Sequence, residues 1–200
     1  MIIVIILIGG IGEGYYLYYK NTNYFVTDNA KITAKMVTIT SSSIGELKSW
    51  NVVEGDFVEK DTELGIQDNA VPIKAPIKGE IIRTNVIVDQ VIAPGMELAT
   101  IADSANTYIA ANIEETSITK IKKGQKVDVK IDAYPDVPFN GYIEVIGAAT
   151  PAAFSQTLSF NTSGTYTKVT QLIPIKITLY NDNNLPLILG MNATVQIHLK

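Results

Sequence analysis

An internal repeat of 20 residues constrains this chain more than any other feature of its sequence. Residues 45–64 and 79–98 align at a spacing of 34 positions. Identical residues occupy the aligned pairs Gly45/Gly79, Glu46/Glu80, Asn51/Asn85, Val52/Val86, Glu63/Glu97 and Leu64/Leu98. Similar apolar residues occupy the pairs Leu47/Ile81, Val53/Ile87, Phe57/Val91 and Val58/Ile92. Because a unit this short cannot bury an apolar face alone, the two copies are expected to close one core between them.

The repeat predicts a β-sandwich over residues 41–103, similar to lipoyl and biotinyl domains, in which two half-motifs interlock. The seam between the halves, residues 69–76, contains Pro72 and Pro76 and has no helical period, so the connection is expected to be short. The predicted core of this domain consists of Val52, Val58, Leu64, Val86, Ile92 and Leu98.

Composition excludes several classes of function. The formal net charge is −4, and without a basic stripe to neutralise phosphates, nucleic acid is not expected as a partner. The absence of cysteine excludes disulfides and thiolate chemistry. With a single histidine in the chain, a transition-metal site is not expected either. We expect no metal and no bound cofactor.

The first 20 residues predict a transmembrane anchor. Residues 1–12 carry no charge, and an aromatic cluster of Tyr15, Tyr16, Tyr18 and Tyr19 ends at Lys20. A helix over residues 1–19 would span about 28 Å, close to the thickness of a hydrocarbon core, and tyrosines are enriched at membrane interfaces. A cleaved signal peptide is the alternative, but the segment has no basic start and no small-residue cleavage site. We therefore expect a single-pass protein of the cytoplasmic membrane, with most of the chain on the extracytoplasmic side.

Two glycines in the anchor are candidates for helix packing. Gly10 and Gly14 have the G-x-x-x-G spacing that lets membrane helices approach closely. The alternative is that they only loosen the helix near the interface.

The rest of the chain predicts a second, discontinuous β-barrel domain formed by residues 24–40 and 104–200. Five longer strands, separated by Gly, Pro, Asp and Asn clusters, are expected at residues 108–113, 126–133, 140–148, 167–179 and 191–199. Residues 114–121 are expected to form the one short helix. The polar segment 149–166 is predicted to be a long loop, and its aromatic residues Phe154 and Phe160 are candidate contacts for a substrate or partner.

Several short motifs resemble the HlyD/EmrA-type membrane fusion proteins, which are the periplasmic adaptor subunits of bacterial multidrug efflux pumps. In chain order these motifs are residues 26–32 (VTDNAKI), 111–116 (ANIEET), 124–127 (GQKV), 132–135 (DAYP), 139–141 (FNG), 171–177 (QLIPIKI) and 190–195 (GMNATV). The resemblance implies a mainly β, non-enzymatic adaptor that forms homo-oligomers. It also implies a transporter in the inner membrane as partner, of the major-facilitator class or, as an alternative, an ABC exporter.

The chain departs from this family in one respect. Family members normally carry a long α-helical hairpin between the two lipoyl halves, whereas here only residues 69–74 separate them. Six extended residues reach no further than about 20 Å. We expect either a host without an outer membrane or a shortened adaptor that works differently.

Two other functions remain as alternatives. The first is a carrier of biotin or lipoate attached to Lys74, although the apex of the hairpin is expected near residues 68–69 and holds no lysine. The second is a substrate-binding module that acts alone outside the membrane. Catalysis is not indicated: His198 is expected to face solvent, and the pairs Glu114/Glu115 and Asp132/Asp136 suit a helix start and a turn.

Overall fold

The computed structural model describes residues 13–15, 18–19, 22–150, 153 and 170–199. The chain divides into two compact units. One is Ala34–Thr107, and the other combines Met1–Thr33 with Tyr108–Lys200. The described part of the chain contains no helix long and apolar enough to cross a membrane. Most of the expected anchor, including residues 1–12, lies outside the described residues.

Fourteen strands account for most of the described structure. Those of the first unit are β2 (Met36–Thr40), β3 (Gly45–Trp50), β4 (Phe57–Val58), β5 (Glu63–Gln67), β6 (Pro72–Lys74), β7 (Gly79–Thr84), β8 (Val91–Ile92) and β9 (Glu97–Ala102). Those of the second unit are β1 (Tyr24–Thr33), β10 (Tyr108–Glu114), β11 (Lys126–Ile131), β12 (Phe139–Ile146), β13 (Leu172–Tyr180) and β14 (Asn192–His198). The protein is therefore mainly β.

The first unit is a sandwich of two four-stranded sheets, with strand orders β2-β9-β7-β4 and β6-β5-β3-β8. Each sheet takes strands from both copies of the repeat, because β4 pairs with β7 and β3 pairs with β8. The two pairings are equivalent. Phe57 lies opposite Glu80, and Val91, the counterpart of Phe57, lies opposite Glu46, the counterpart of Glu80. The halves thus complete each other, as the repeat predicted.

The predicted core of the sandwich is confirmed. All six residues are 8% exposed or less: Val52, Val58, Leu64, Val86, Ile92 and Leu98. The repeated glycines have a steric reason. A Cβ on Gly79 would lie 2.2 Å from the carbonyl oxygen of Ala102, and one on Gly45 would lie 2.6 Å from the side chain of Asp68. A larger residue at position 79 would force β7 away from β9, whereas one at position 45 would displace only the Asp68 side chain.

The second unit is a closed barrel with strand order β1-β10-β13-β12-β11-β14. Its core comes from all six strands, along which inward-facing residues such as Ile109, Ile113, Ile177 and Val195 alternate with outward-facing ones. Because β1 pairs with both β10 and β14, the barrel is closed by a strand that precedes the sandwich in the chain.

The structure differs from the expected organisation at two places. Residues 34–40, which we expected in the barrel unit, belong to the sandwich, because β2 pairs with β9 and buries Ile39 in the sandwich core. Residues 104–107 also belong to the sandwich unit.

The expected helix over residues 114–121 is wrong. Strand β10 continues through Glu114, paired with Leu172, and the remaining residues form a single 3₁₀ turn at Ile118–Lys120. Strand pairing takes the first residue of the expected helix, residues 115–117 form a turn, and short 3₁₀ turns are common in such connectors.

Candidate functional site

The sandwich exposes apolar side chains at equivalent positions of the two repeat copies. Val53 and Ile87 are 65% and 73% exposed, and Phe57 and Val91 are 54% and 66% exposed. We call these four residues the paired surface positions. Burial cannot explain why both copies carry apolar residues there. Because the same positions are apolar and exposed in both copies, they are candidates for contact with another molecule.

Charged residues lie beside two of the paired surface positions, Phe57 and Val91. The Lys78 ammonium lies 5.4 Å from the centre of the Phe57 ring and 2.8 Å from a carboxylate oxygen of Glu59. On the other copy, Val91 lies opposite Glu46, whose carboxylate is 2.7 Å from the ammonium of Lys48. The hydrogen bond to Glu46 raises the pKa of Lys48 above its usual value. An apolar centre with a charged border is typical of the surfaces through which proteins associate.

A buried hydrogen-bond network fixes the turn between the two halves. The Gln67 side chain is 2% exposed and accepts a 2.7 Å hydrogen bond from the hydroxyl of Ser43. Its amide donates to the Ser43 carbonyl at 3.2 Å and to the Ser41 hydroxyl at 3.3 Å. Because every polar group of Gln67 is satisfied locally, the short β5–β6 turn is held as a closed end of the sandwich.

The turn between β5 and β6 shows where a carrier lysine would have to lie. It contains Asp68 and Asn69, as expected, and neither can bear biotin or lipoate. Lys74 is exposed but lies within β6, in register with Glu63 of β5. Lys74 thus does not lie at the apex of the hairpin, which disfavours the carrier hypothesis.

His198 makes a contact that we did not predict. Its Nε2 lies 2.7 Å from Oδ2 of Asp128, and its ring meets the Tyr24 ring edge-on with centroids 5.0 Å apart. The histidine therefore joins the end of β14 to β11 and to the start of β1. Asp128 lies on the outer face of β11, between the buried residues Val127 and Val129. Its pairing with His198 spans 70 residues, so the local sequence carries no signal of this contact.

The structure does not unite the other candidate residues into a site. Gly14 is exposed, with no heavy atom within 4 Å of where its Cβ would stand, while Gly10, Phe154 and Phe160 lie outside the described residues. Glu114 accepts a 3.4 Å hydrogen bond from Thr116. Among the described residues, no group of three or more His, Asp or Glu side chains is placed to hold a metal ion.

Comparisons with known proteins agree with this architecture. Residues 35–103 match the YhbJ barrel-sandwich hybrid domain, and residues 107–197 match the YknX-like β-barrel domain. YhbJ of Bacillus subtilis (strain 168), a protein named as an efflux system component, is 42% identical over 182 residues, which cover 89% of this chain and 81% of YhbJ. The colistin resistance protein EmrA of Acinetobacter baumannii is 33% identical over 129 residues, 64% of this chain and 36% of EmrA.

A solved structure shows the same fold. The membrane fusion protein Spr0693 from Streptococcus pneumoniae R6 superimposes with a TM-score of 0.67 at 13% identity, over 88% of this chain and 99% of that one. This likeness shows the shared fold, a barrel-sandwich hybrid joined to a small barrel. By its similarity to YhbJ, of which it covers 81%, the chain belongs to the HlyD/EmrA-type family of membrane fusion proteins. It spans about a third of the length of the EmrA relative.

Proposed function

We propose that this protein is the membrane-anchored adaptor subunit of a small-molecule export system and acts beside a transporter of the cytoplasmic membrane. The observation that carries the proposal is the 42% identity with the efflux component YhbJ, which extends across both folded units. The role is mechanical and not enzymatic: the adaptor guides exported compounds away from the mouth of the transporter.

The closed β5–β6 turn supports an adaptor of short reach. Gln67 and Val71, on either side of this turn, are joined by a backbone hydrogen bond of 3.2 Å. This leaves no room for the helical hairpin that family members normally carry at this point. The proposed adaptor therefore works at the membrane surface and does not extend to a distant exit duct.

The paired surface positions support self-association into a ring. Because each repeat copy pairs with the other in the same way, each subunit presents two equivalent apolar surfaces, centred on Phe57 and Val91. Two such surfaces on one subunit allow each copy to contact two neighbours, which closes a ring when the rotation permits. We expect Phe57→Glu with Val91→Glu to abolish crosslinked oligomers of the full chain, whereas Thr38→Glu, an exposed position on β2, leaves them unchanged. Oligomers that survive the double substitution would exclude these surfaces from assembly.

The proposed partner is a transporter of the major-facilitator class, with an ABC exporter as the alternative. Similarity to the EmrA and EmrK export proteins supports this choice, although the chain covers only 33–39% of their length. A single helix over residues 1–20 is proposed to anchor the chain, with Gly10 and Gly14 in its packing face and residues from 21 onward outside the membrane. Protease added to intact spheroplasts should digest the folded units, and full protection would refute this topology.

Efflux genetics tests the proposed function. Deletion of the gene should slow the release of preloaded compounds from a panel of neutral, cationic and anionic dyes, and the intact gene should restore release. Deleting the partner transporter as well should cause no further loss, because the two proteins act in one pathway. An additive loss would show that the protein acts alone, as a separate binding module.

A further inference from the structure

Strands β1 and β10 separate at one end of the barrel. They pair only from Ala30 opposite Ala111 to Thr33 opposite Tyr108. Before Ala30, β1 continues along β14 alone, and after Ala111, β10 continues along β13 as far as Glu114. The two strands of the closed barrel therefore diverge, and an opening forms between them.

A bulge in β1 produces this divergence. The pairing of β1 with β14 shifts by one residue between Thr27 and Ala30, which leaves Asp28 and Asn29 without register partners on β14. The Asn29 backbone N–H turns back to the Thr27 hydroxyl at 3.1 Å. Bulges of this kind bend a strand and redirect its side chains, and they are frequent beside functional sites.

An open groove of about 720 Å³ occupies the space between the strands. Phe25, Val26 and Leu172 give it an apolar wall. Two amides meet within it, because Asn112 donates a 3.0 Å side-chain hydrogen bond to Asn29 across the gap. The volume is within the range of small-molecule sites, about 300–1,000 Å³, and the mixture of apolar and polar lining is also typical of them.

The charge of the groove has one sign. Asp28 of β1 and Glu114 of β10 line it from opposite strands, and none of the described residues that line it is Lys or Arg. Neither carboxylate forms an ion pair with another residue of the described structure. Two carboxylates beside an apolar wall attract a positive charge, which loses little solvation in an open groove and gains contact area from the wall.

We propose that the groove between β1 and β10 binds amphipathic organic cations, with Asp28 and Glu114 holding the positive charge and the apolar wall holding the hydrocarbon part. This names a substrate class for the proposed export function and rests on it. Two sequence motifs, residues 26–32 and 111–116, come together beside this groove, and each supplies one of its carboxylates.

Direct binding to the purified full chain tests the proposal, with tetraphenylphosphonium as the probe and tetraphenylborate as a control of the same shape and opposite charge. Equilibrium dialysis should show saturable binding of the cation and none of the anion at the same concentration. Asp28→Asn with Glu114→Gln should weaken cation binding about tenfold, because exposed charge contacts are individually modest. Asp182→Asn, an exposed acid of the barrel unit outside the groove, should leave binding unchanged, and thermal unfolding should confirm that all variants are folded.

Each outcome decides the proposal. Equal binding of both probes, or cation binding that the double variant retains, would overturn it. The site and the proposed function can also fail separately. Cation binding that depends on both carboxylates, in a protein whose deletion leaves efflux intact, would support the site and refute the export role. Slowed efflux after deletion, without cation binding to the groove, would do the reverse.

Discussion

Truncating Leu64 or Leu98 should strongly destabilise the sandwich unit. These residues occupy equivalent positions in the two repeat copies, and both side chains are fully buried in the same core. Replacing leucine by alanine removes three carbon groups, each worth about 0.8 kcal/mol when buried. A residual cavity on the order of 70 Å³ adds about 1.7 kcal/mol. Each substitution should therefore cost about 4 kcal/mol, and the two costs should be similar because the sites are equivalent.

The single tryptophan supplies the assay. Trp50 is the only tryptophan of the chain and packs against the sandwich core, so its fluorescence follows the unfolding of this unit in urea. With a slope of about 1 kcal/mol per molar urea, the midpoint should fall by about 4 M. A variant already unfolded without urea would agree with the same cost.

The matched control is Ile44→Ala, which removes a large aliphatic side chain from the same unit at a position that is 69% exposed and is not one of the paired surface positions. It should shift the midpoint by less than about 0.5 M, because exposed substitutions cost little. A near-zero loss at both Leu64 and Leu98 would refute the account of the repeat as two halves that share one core.

Three further predictions concern the second unit. Glu144→Gln should lower the melting temperature at neutral pH. Hydrogen bonds from Lys176 and Thr178 hold the pKa of Glu144 below its usual 4.5, so the ionised carboxylate stabilises the folded protein fully above pH 4.5. The difference in melting temperature from the unaltered protein should vanish as the pH falls through the lowered pKa. An undiminished difference at pH 2 would contradict this. His198→Ala should lower the unfolding free energy by about 1 kcal/mol through loss of the Asp128 hydrogen bond. The loss should be smaller in an Asp128→Ala background, where only the contact with the Tyr24 ring remains to be lost. Replacing Phe154 and Phe160 by Ser should reduce drug tolerance that depends on efflux at unchanged thermal stability, and a drop in stability would instead assign them to the barrel core.

The core of the sandwich could be predicted because each position of the repeat occurs twice, and a position that is apolar in both copies is expected to be buried. Leu64 and Leu98, or Val58 and Ile92, are apolar in both copies, and all four are buried. Val53 and Ile87 are also apolar in both copies, yet both side chains are exposed. Pattern alone records that a side chain is apolar and not whether its partner is the core or another molecule.

Turn geometry is repeated even where residue types differ. Gly55 and Asp89 occupy equivalent positions with φ of 94° and 68°, as do Asp61 and Gly95 with φ of 67° and 82°. Asp is among the few residues besides Gly that tolerate a positive φ. The two copies therefore share the same turn conformation at positions where their residue types differ.

Non-local pairing accounts for what could not be predicted. No turn signal separates β1 from β2, so nothing local shows that residues 34–40 leave the barrel for the sandwich; the ladder with β9 decides it. The groove between β1 and β10 likewise depends on a bulge whose partners lie in β14. Strand propensity identifies strands, but the neighbours of each strand are set by the whole fold.

The most direct test of the adaptor function is crosslinking in intact cells followed by purification of the full chain and quantitative mass spectrometry. We predict that one transporter of the cytoplasmic membrane is enriched together with the adaptor, at a constant ratio across preparations. Recovery of the protein with no membrane transporter enriched above an untagged control would contradict the account.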